Sequence, residues 1–197
     1  MKYVAISDTH GCHRHLDLPS GDVLIHAGDV CDRGDQSQTD DFFDWFAKLD
    51  FAHKLLIWGN HDFDIADNRL LFPSTIPDGI AILDHCEYRI GETKIFGVPT
   101  PPDKQAENWD AIPLDTNIVV THRPPKGIQD VSRLRGSQGS KRLTKRIAEV
   151  QPAMHVFGHI HRSYGETIKN GTRFINASLY RSSKKRLVNA PIAFEFG

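Results

Sequence analysis

Short hydrophobic runs recur along the chain, each stopped by a group of polar residues. Tyr3 to Ser7, Val23 to Ala27, Lys54 to Trp58, Asn117 to Thr121 and Ala153 to Gly158 have the length and composition of strands. Between them the period changes. Thr39 to Leu49 predicts a helix with Thr39 as N-cap, Asp40 and Asp41 in its first turn, and Phe42, Trp45, Phe46 and Leu49 on one face. Ser140 to Val150 predicts a second helix, with Leu143, Ile147 and Val150 as its buried stripe and Lys141, Arg142, Lys145 and Arg146 on its solvated face. Tyr88 to Val98 reads as a hairpin around Gly91 and Glu92, and Arg162 to Asn176 as another turning at Asn170 and Gly171. Pro191 to Phe196 predicts a closing strand. Such βα units followed by hairpins argue for an α/β (α+β) fold of two packed sheets flanked by helices.

Each of the five strand-like runs delivers metal-loving residues immediately after it: Asp8 and His10 in DTH, Asp29 in GDVCDRG, Asn60 and His61 in GNHD, His122 in VVTHRPP, and His159 and His161 in GHIH. Any one of these alone would be an ordinary cap, turn or buried polar group. Together they place oxygen and nitrogen donors at one edge of the sheets. Carboxylate and imidazole donors suit Mn, Fe, Zn and similar divalent ions, and no thiolate cluster points to structural zinc.

Composition sets limits on this picture. The 197 residues suit a single domain, residues 1–197, able to bury its own core. No apolar run approaches the ~18 residues of a membrane span, and the apolar stretch from Tyr3 to Ile6 ends too soon for a leader. Cys12, Cys31 and Cys86 lack metal-motif spacing and are odd in number, so a reducing compartment, the cytoplasm, is expected. The net charge of −1 conceals an acidic stretch from Asp29 to Asp50 and a basic one from Val131 to Ala148. The latter could steer anions, though the solvated helix face accounts for most of it.

The five motifs resemble those of the calcineurin-like metallophosphoesterase superfamily: D-x-H, G-D-x-x-D-R-G, G-N-H-D/E, a lone histidine and G-H-x-H, in that order from Asp8 to His161. The flanking text HAGDV, THRPPKGIQD, HVFGHIHRSYGE and FINAS is similar to the small phosphodiesterase subgroup that includes the brain-expressed metallophosphoesterase-domain proteins. Some members of that subgroup lack the first histidine of G-H-x-H, which this chain keeps as His159.

The resemblance implies a four-layered αββα sandwich of two mixed sheets flanked by helices. It also implies two divalent ions, with Mn favoured and Fe, Zn, Co or Ni compatible. Asp8, His10, Asp29 and His161 would hold one, and Asp29, Asn60, His122 and His159 the other, with Asp29 bridging. Two such cations outweigh the carboxylates of Asp8 and Asp29, and the positive remainder favours an anionic substrate. A metal-held water, its pKa lowered to about 7, is then the expected nucleophile. His61 is the expected general acid, since it follows a ligand without being one; Asp32 is preferred to Asp62 as the group that orients it. Arg33 would reach the phosphoryl oxygens. His26 is expected to be a core residue, His13 and His15 to face solvent, and Trp109 to pack, with base stacking as its alternative.

The function expected is hydrolysis of small phosphodiesters such as cyclic nucleotides. Phosphomonoesterase or protein phosphatase activity is the alternative, kept open by the complete G-D-x-x-D-R-G block. A non-catalytic scaffold, as in the retromer subunit of the superfamily, would be free to lose His61 and some ligands; none is missing. Neither a membrane association nor a stable nucleic-acid complex is expected, and no protein partner is indicated.

Overall fold

The strands of the computed structural model are, in chain order, β1 (Lys2–Ile6), β2 (Val23–His26), β3 (His53–Leu56), β4 (Ile80–Ile82), β5 (Cys86–Ile90), β6 (Thr93–Val98), β7 (Ile118–Thr121), β8 (Val131–Ser132), β9 (Gly136–Ser137), β10 (Met154–Phe157), β11 (Gly165–Lys169), β12 (Thr172–Asn176), β13 (Tyr180–Arg181), β14 (Arg186–Leu187) and β15 (Ile192–Glu195). The helices are α1 (Gln36–Ala47) and α2 (Lys141–Val150). The structure describes residues 1–64, 70–71, 73, 76–101 and 107–197.

Two mixed sheets result. One runs β15-β1-β2-β3-β4 and the other β11-β12-β10-β7-β6-β5, while β8-β9 and β13-β14 are separate hairpins. In the first sheet β1, β2, β3 and β4 are mutually parallel; in the second, β6, β7, β10 and β12 are. Parallel strands covered on both faces read as continuous apolar runs, which is why β1 and β2 show no polar alternation.

Alternate residues of those strands serve two cores. Tyr3, Ala5, Val23, Ile25 and Leu55 meet Ile95, Ile118, Val120, Val156 and Ile175 between the sheets. Val4, Ile6, Leu24 and Leu56 face outward onto Phe42, Phe43 and Phe46 of α1. On the far side Val119, Phe157 and Phe174 pack on Leu143, Ile147 and Val150 of α2. The order helix, sheet, sheet, helix is the expected four-layered sandwich. Each buried phenylalanine of α1 stabilises the packing by roughly 1.5–3 kcal/mol.

The expected strands and hairpins match the observed elements to within three residues, the largest difference being at the second hairpin, whose first strand starts at Gly165 rather than Arg162. Helix α1, however, begins before Thr39. Asp35 is its N-cap, with Oδ1 accepting the N–H groups of Ser37 at 3.0 Å and Gln38 at 3.2 Å. Thr39 sits inside the first turn and donates its hydroxyl to the Asp35 carbonyl. Ser140 does cap α2, accepting the Leu143 N–H at 3.2 Å, and Gln151 ends that helix in a left-handed conformation before Pro152. Strand β4 and the short hairpins β8-β9 and β13-β14 were absent from the sequence expectation, their arms being only two or three residues long. No helix among the described residues is long and apolar enough to cross a membrane.

Candidate metal centre

Five parallel strands, β1, β2 and β3 of one sheet and β7 and β10 of the other, end beside one another, so their following loops converge. Open parallel sheets place ligands outside the carboxyl ends of their strands. The loops are joined backbone to backbone: Asp8 N–H to the Gly28 carbonyl at 2.9 Å, His10 to Asp29 at 3.2 Å, and Gly158 to His122 at 3.0 Å. Asp8, His10, Asp29 and His159 all adopt positive φ, between 43° and 68°. That left-handed backbone costs on the order of 1 kcal/mol per residue and collects at functional sites.

This convergence assembles two groups of side chains, Asp8, His10, Asp29 and His161 in one and Asp29, His122 and His159 in the other, with donor atoms in each group within 4.8 Å of one another. Asp29 belongs to both. Its Oδ2 lies 3.2 Å from His122 Nε2 and 3.8 Å from His10 Nε2. Asp8 accepts the Ser178 hydroxyl at 2.8 Å and the His159 N–H at 3.0 Å, and its Oδ1 is 3.0 Å from His161 Nε2.

The hydrogen-bond network orients the rings. His122 Nδ1 must donate to the Ala27 carbonyl 2.7 Å away, and His10 Nδ1 to the Cys31 carbonyl at 3.2 Å. The Nε2 atom of each ring therefore points at the acids. His10 Nε2 and His161 Nε2 stand 3.3 Å apart, a pair that only a shared cation or proton reconciles.

Charge within the cluster is strongly coupled. Burial would raise the Asp8 carboxyl, but His161, His122 and His10 outweigh it and hold it well below the usual range. Asp29 is lowered in the same way, chiefly by His122. Burial disfavours charge on His122, yet Asp29 and Asp8 raise it to about 10. Burial keeps His10 neutral and pushes His159 down to about 3, leaving both rings able to donate lone pairs.

Two glycines permit this packing. A Cβ at Gly59 would lie 2.2 Å from Asp29 Oδ1, and one at Gly158 would lie 2.3 Å from Asp8 Oδ2. Asp62, fully buried, accepts the N–H groups of Asp29 at 2.9 Å, Val30 at 2.8 Å and Gly59 at 2.8 Å, with Cys31 at 3.3 Å. It is thus the anchor of the Asp29 loop rather than a partner of the His61 ring.

His61 lines the cleft with a ring one-third exposed and edge-on to His10 at 4.8 Å. Its Nδ1 accepts the Arg33 N–H at 3.3 Å, so the neutral ring carries its proton on Nε2. Asp32 Oδ1 is 3.6 Å from the same Nδ1, closer to His61 than Asp62 but beyond hydrogen-bond reach. The Arg33 side chain is exposed and does not line the cleft. His26 is a core residue, bonded to Thr9 Oγ1 at 3.0 Å, and Trp109 is buried in the α2 core. His15 faces solvent, but His13 is buried against Asp41 Oδ2 at 2.9 Å, contrary to expectation, because Phe42 and Trp45 cover it.

Several contributors were not foreseen. Ser178 bonds Asp8, Ser182 lies 2.8 Å from His161 Nδ1, and Tyr180 packs against the rings of His10 and His161. All three follow β12 in a segment without metal-motif spacing. The cleft itself has a volume of about 630 Å³. Its lining joins Asp29, His61, His159 and His161 to Arg133, Arg135, Arg162 and Arg181, none of which was assigned a site role from the sequence.

The donor set fits divalent cations. The buried Asn60 side-chain oxygen has no hydrogen-bond partner among the described residues, and His122 Nε2 has only the Asp29 carboxylate, 3.2 Å away, before it. Buried polar atoms left this way call for an ion or a proton.

Comparison with known proteins agrees. The profile of the calcineurin-like phosphoesterase family matches residues 1–163. The chain is 32% identical to metallophosphoesterase domain-containing protein 1 of Homo sapiens, over 98% of this chain and 70% of the human one. It is equally 32% identical to UPF0046 protein K07C11.7 of Caenorhabditis elegans, over 98% of this chain and 74% of that one. A solved structure with TM-score 0.62 and 14% identity covers 89% of both chains, and GAP50 of Plasmodium, titled the anchor in the inner membrane complex, follows at 0.51 and 11%, over 91% of this chain and 71% of that one. Those two likenesses show the fold. With the motifs on adjoining strand ends and the family profile running through all of them, the chain belongs to the calcineurin-like phosphoesterases.

Proposed function

We propose that this metal-dependent phosphoesterase is a phosphodiesterase acting on small substrates, cyclic nucleotides among them, as one domain with a dinuclear centre. The carrying observation is that Asp29 is shared by two groups of ligand-type side chains at the floor of one cleft. Asp8, His10, Asp29 and His161 would hold one ion, and Asp29, Asn60, His122 and His159 the other. Such ions, when bound, supply Lewis acidity to a phosphoryl oxygen and lower the pKa of water. Mn is the proposed metal.

The chain's own residues do the rest. His61, with its ring at the cleft, acts as general acid in its imidazolium form, protonates the leaving oxygen and returns to the neutral ring in which Nδ1 accepts the Arg33 N–H. Asp32, whose Oδ1 lies 3.6 Å from Nδ1, is proposed to orient the ring. Arg33 fixes the ring through its backbone N–H, and its side chain is proposed to meet substrate from the rim. The cleft's size supports the diester reading, since a substituent must be housed beyond the phosphorus.

The deciding experiment is a metal-by-substrate matrix on chelator-treated protein. Bis(p-nitrophenyl) phosphate or a cyclic nucleotide should give higher kcat/KM than p-nitrophenyl phosphate with the same ion and pH. A clear monoester preference would favour the phosphatase reading, and no hydrolysis with any ion would favour the scaffold.

A further inference from the structure

The cleft wall opposite the ligand side chains is cationic to an unusual degree for this chain. Arg133 and Arg135 come from the turn of hairpin β8-β9, Arg162 from the turn after His161, and Arg181 from β13. Elsewhere arginines pair with acids, as Arg14 does with Asp41, Arg146 with Glu149 and Arg173 with Glu166. None of the four cleft arginines has a carboxylate partner among the described residues, and Asp29 is the only acid among those lining the cleft. The Nε of Arg181 is buried with no hydrogen-bond partner among the described residues.

The backbone that carries these arginines is tied down. Ser163, at the end of the His161 turn, donates its hydroxyl to the Val131 carbonyl at 3.1 Å, tying β8 to that turn. Asp130 braces the base of the same hairpin through the Ser137 hydroxyl and the Gly139 N–H. Ser182, next to Arg181, is bonded to His161. Between Arg133 and Arg135, Leu134 stands 92% exposed at the cleft, an apolar surface between two cations.

Four unpaired like charges on one wall repel one another unless an anion joins them. One phosphoester held at the ligand clusters does not supply it, because those clusters would already carry cations of their own. We infer that the wall of Arg133, Arg135, Arg162 and Arg181 is a second anion subsite, and that the preferred substrate is a diester whose outer substituent bears its own phosphate. Guanidinium forks bind phosphate bidentately, and Leu134 would contact the group linking the two phosphates. The inference rests on the diester reading above.

Two measurements separate it from that reading. The first is calorimetric binding to chelator-treated protein, which cannot turn over. Thymidine 3′,5′-bisphosphate should bind at least tenfold tighter than thymidine 5′-monophosphate, and the Arg133→Gln/Arg135→Gln double variant should reduce that ratio to about twofold. The double variant Lys141→Gln/Arg142→Gln on α2 removes the same charge away from the cleft and should keep the ratio. Equal affinity for the two nucleotides, or an equal effect of the α2 variant, overturns the subsite. The second compares hydrolysis of the p-nitrophenyl ester of thymidine 5′-phosphate with and without a 3′-phosphate by metal-loaded protein. Arg133→Gln/Arg135→Gln should lower kcat/KM for the 3′-phosphorylated ester at least tenfold more than for the plain one. A uniform loss overturns the subsite; hydrolysis of neither ester by the unaltered protein defeats the diester reading, while the binding ratio still tests the arginines.

Discussion

The buried carboxylate of Asp62 accepts the backbone N–H of Asp29 at 2.9 Å, so one acid without access to the cleft fixes the acid that both ligand groups share. Burial and the charge of Asp29 push the Asp62 carboxyl up to about 7, against the pull of the N–H groups of Gly59 and Cys31. Asp62→Asn offers an amide with a single accepting oxygen to this ring of donors. We expect a loss of about 3 kcal/mol in stability and a 10- to 100-fold fall in metal affinity. Thermal denaturation and metal titration together check this; wild-type values in both would contradict the anchoring role.

Chelation should abolish hydrolysis, with Mn²⁺ restoring it best. Elemental analysis of reconstituted protein should find about two ions per chain, falling below one in Asp29→Ala. Full activity in chelator would sink the dinuclear reading.

His61→Ala should lose roughly 10² to 10⁴ in turnover, about 3 to 5 kcal/mol of transition-state stabilisation, at unchanged metal content. The loss should shrink when the leaving group is p-nitrophenolate. Equal losses with p-nitrophenolate and an alkoxide would indicate positioning or ligation instead.

Gly158→Ala would press a methyl group onto Ser7 Oγ at 2.0 Å and Asp8 Oδ2 at 2.3 Å. Both side chains are fully buried and hydrogen-bonded, Ser7 to the Ala27 carbonyl and Asp8 to Ser178, so neither can easily give way, and metal content and melting temperature should fall together. Gly171→Ala, at a hairpin tip with nothing within 4 Å of the added carbon, should leave metal content unchanged.

His155 gives a pH prediction remote from the ions. Thr121 donates its hydroxyl to the Arg123 carbonyl and so must accept from His155 Nε2 at 2.9 Å, leaving the buried Nδ1 without a partner. Burial pushes this ring down to about 3. The folded value lies below the unfolded one, so its contribution is full above about pH 6.5 and is lost as pH falls toward 3. Between those limits the unfolding free energy should drop by at most about 1.4 kcal/mol per pH unit from this group. His155→Gln should flatten that slope in urea titrations between pH 4.5 and 6; an unchanged slope would contradict it.

Much of this molecule can be read from one dimension. Runs such as Val23 to Ala27 are apolar throughout because α1 covers one face and the second sheet the other, and the ligands follow because loops after parallel strands meet. What escaped depended on contacts distant in sequence. Asp62 reads as part of GNHD but turns away from His61 to bind the Asp29 loop. Arg133 and Arg135 read only as part of a basic stretch ahead of the second helix, and it is a short hairpin with two-residue arms that brings them to the cleft. The diester reading rests on the cleft that they line.

Each ligand group takes residues from both sheets: Asp8, His10 and Asp29 against His161, and Asp29 against His122 and His159. Ions there would act as rivets across a seam otherwise closed by side-chain packing and by hydrogen bonds such as those from His159 to Asp8 and from His122 to the Ala27 carbonyl. Sliding one sheet past the other would then stretch coordination bonds, so amides flanking the seam, in β1 and β10, should exchange hydrogen for deuterium more slowly in loaded than in chelated protein. The centre that performs the chemistry would also clamp the two halves of the molecule together.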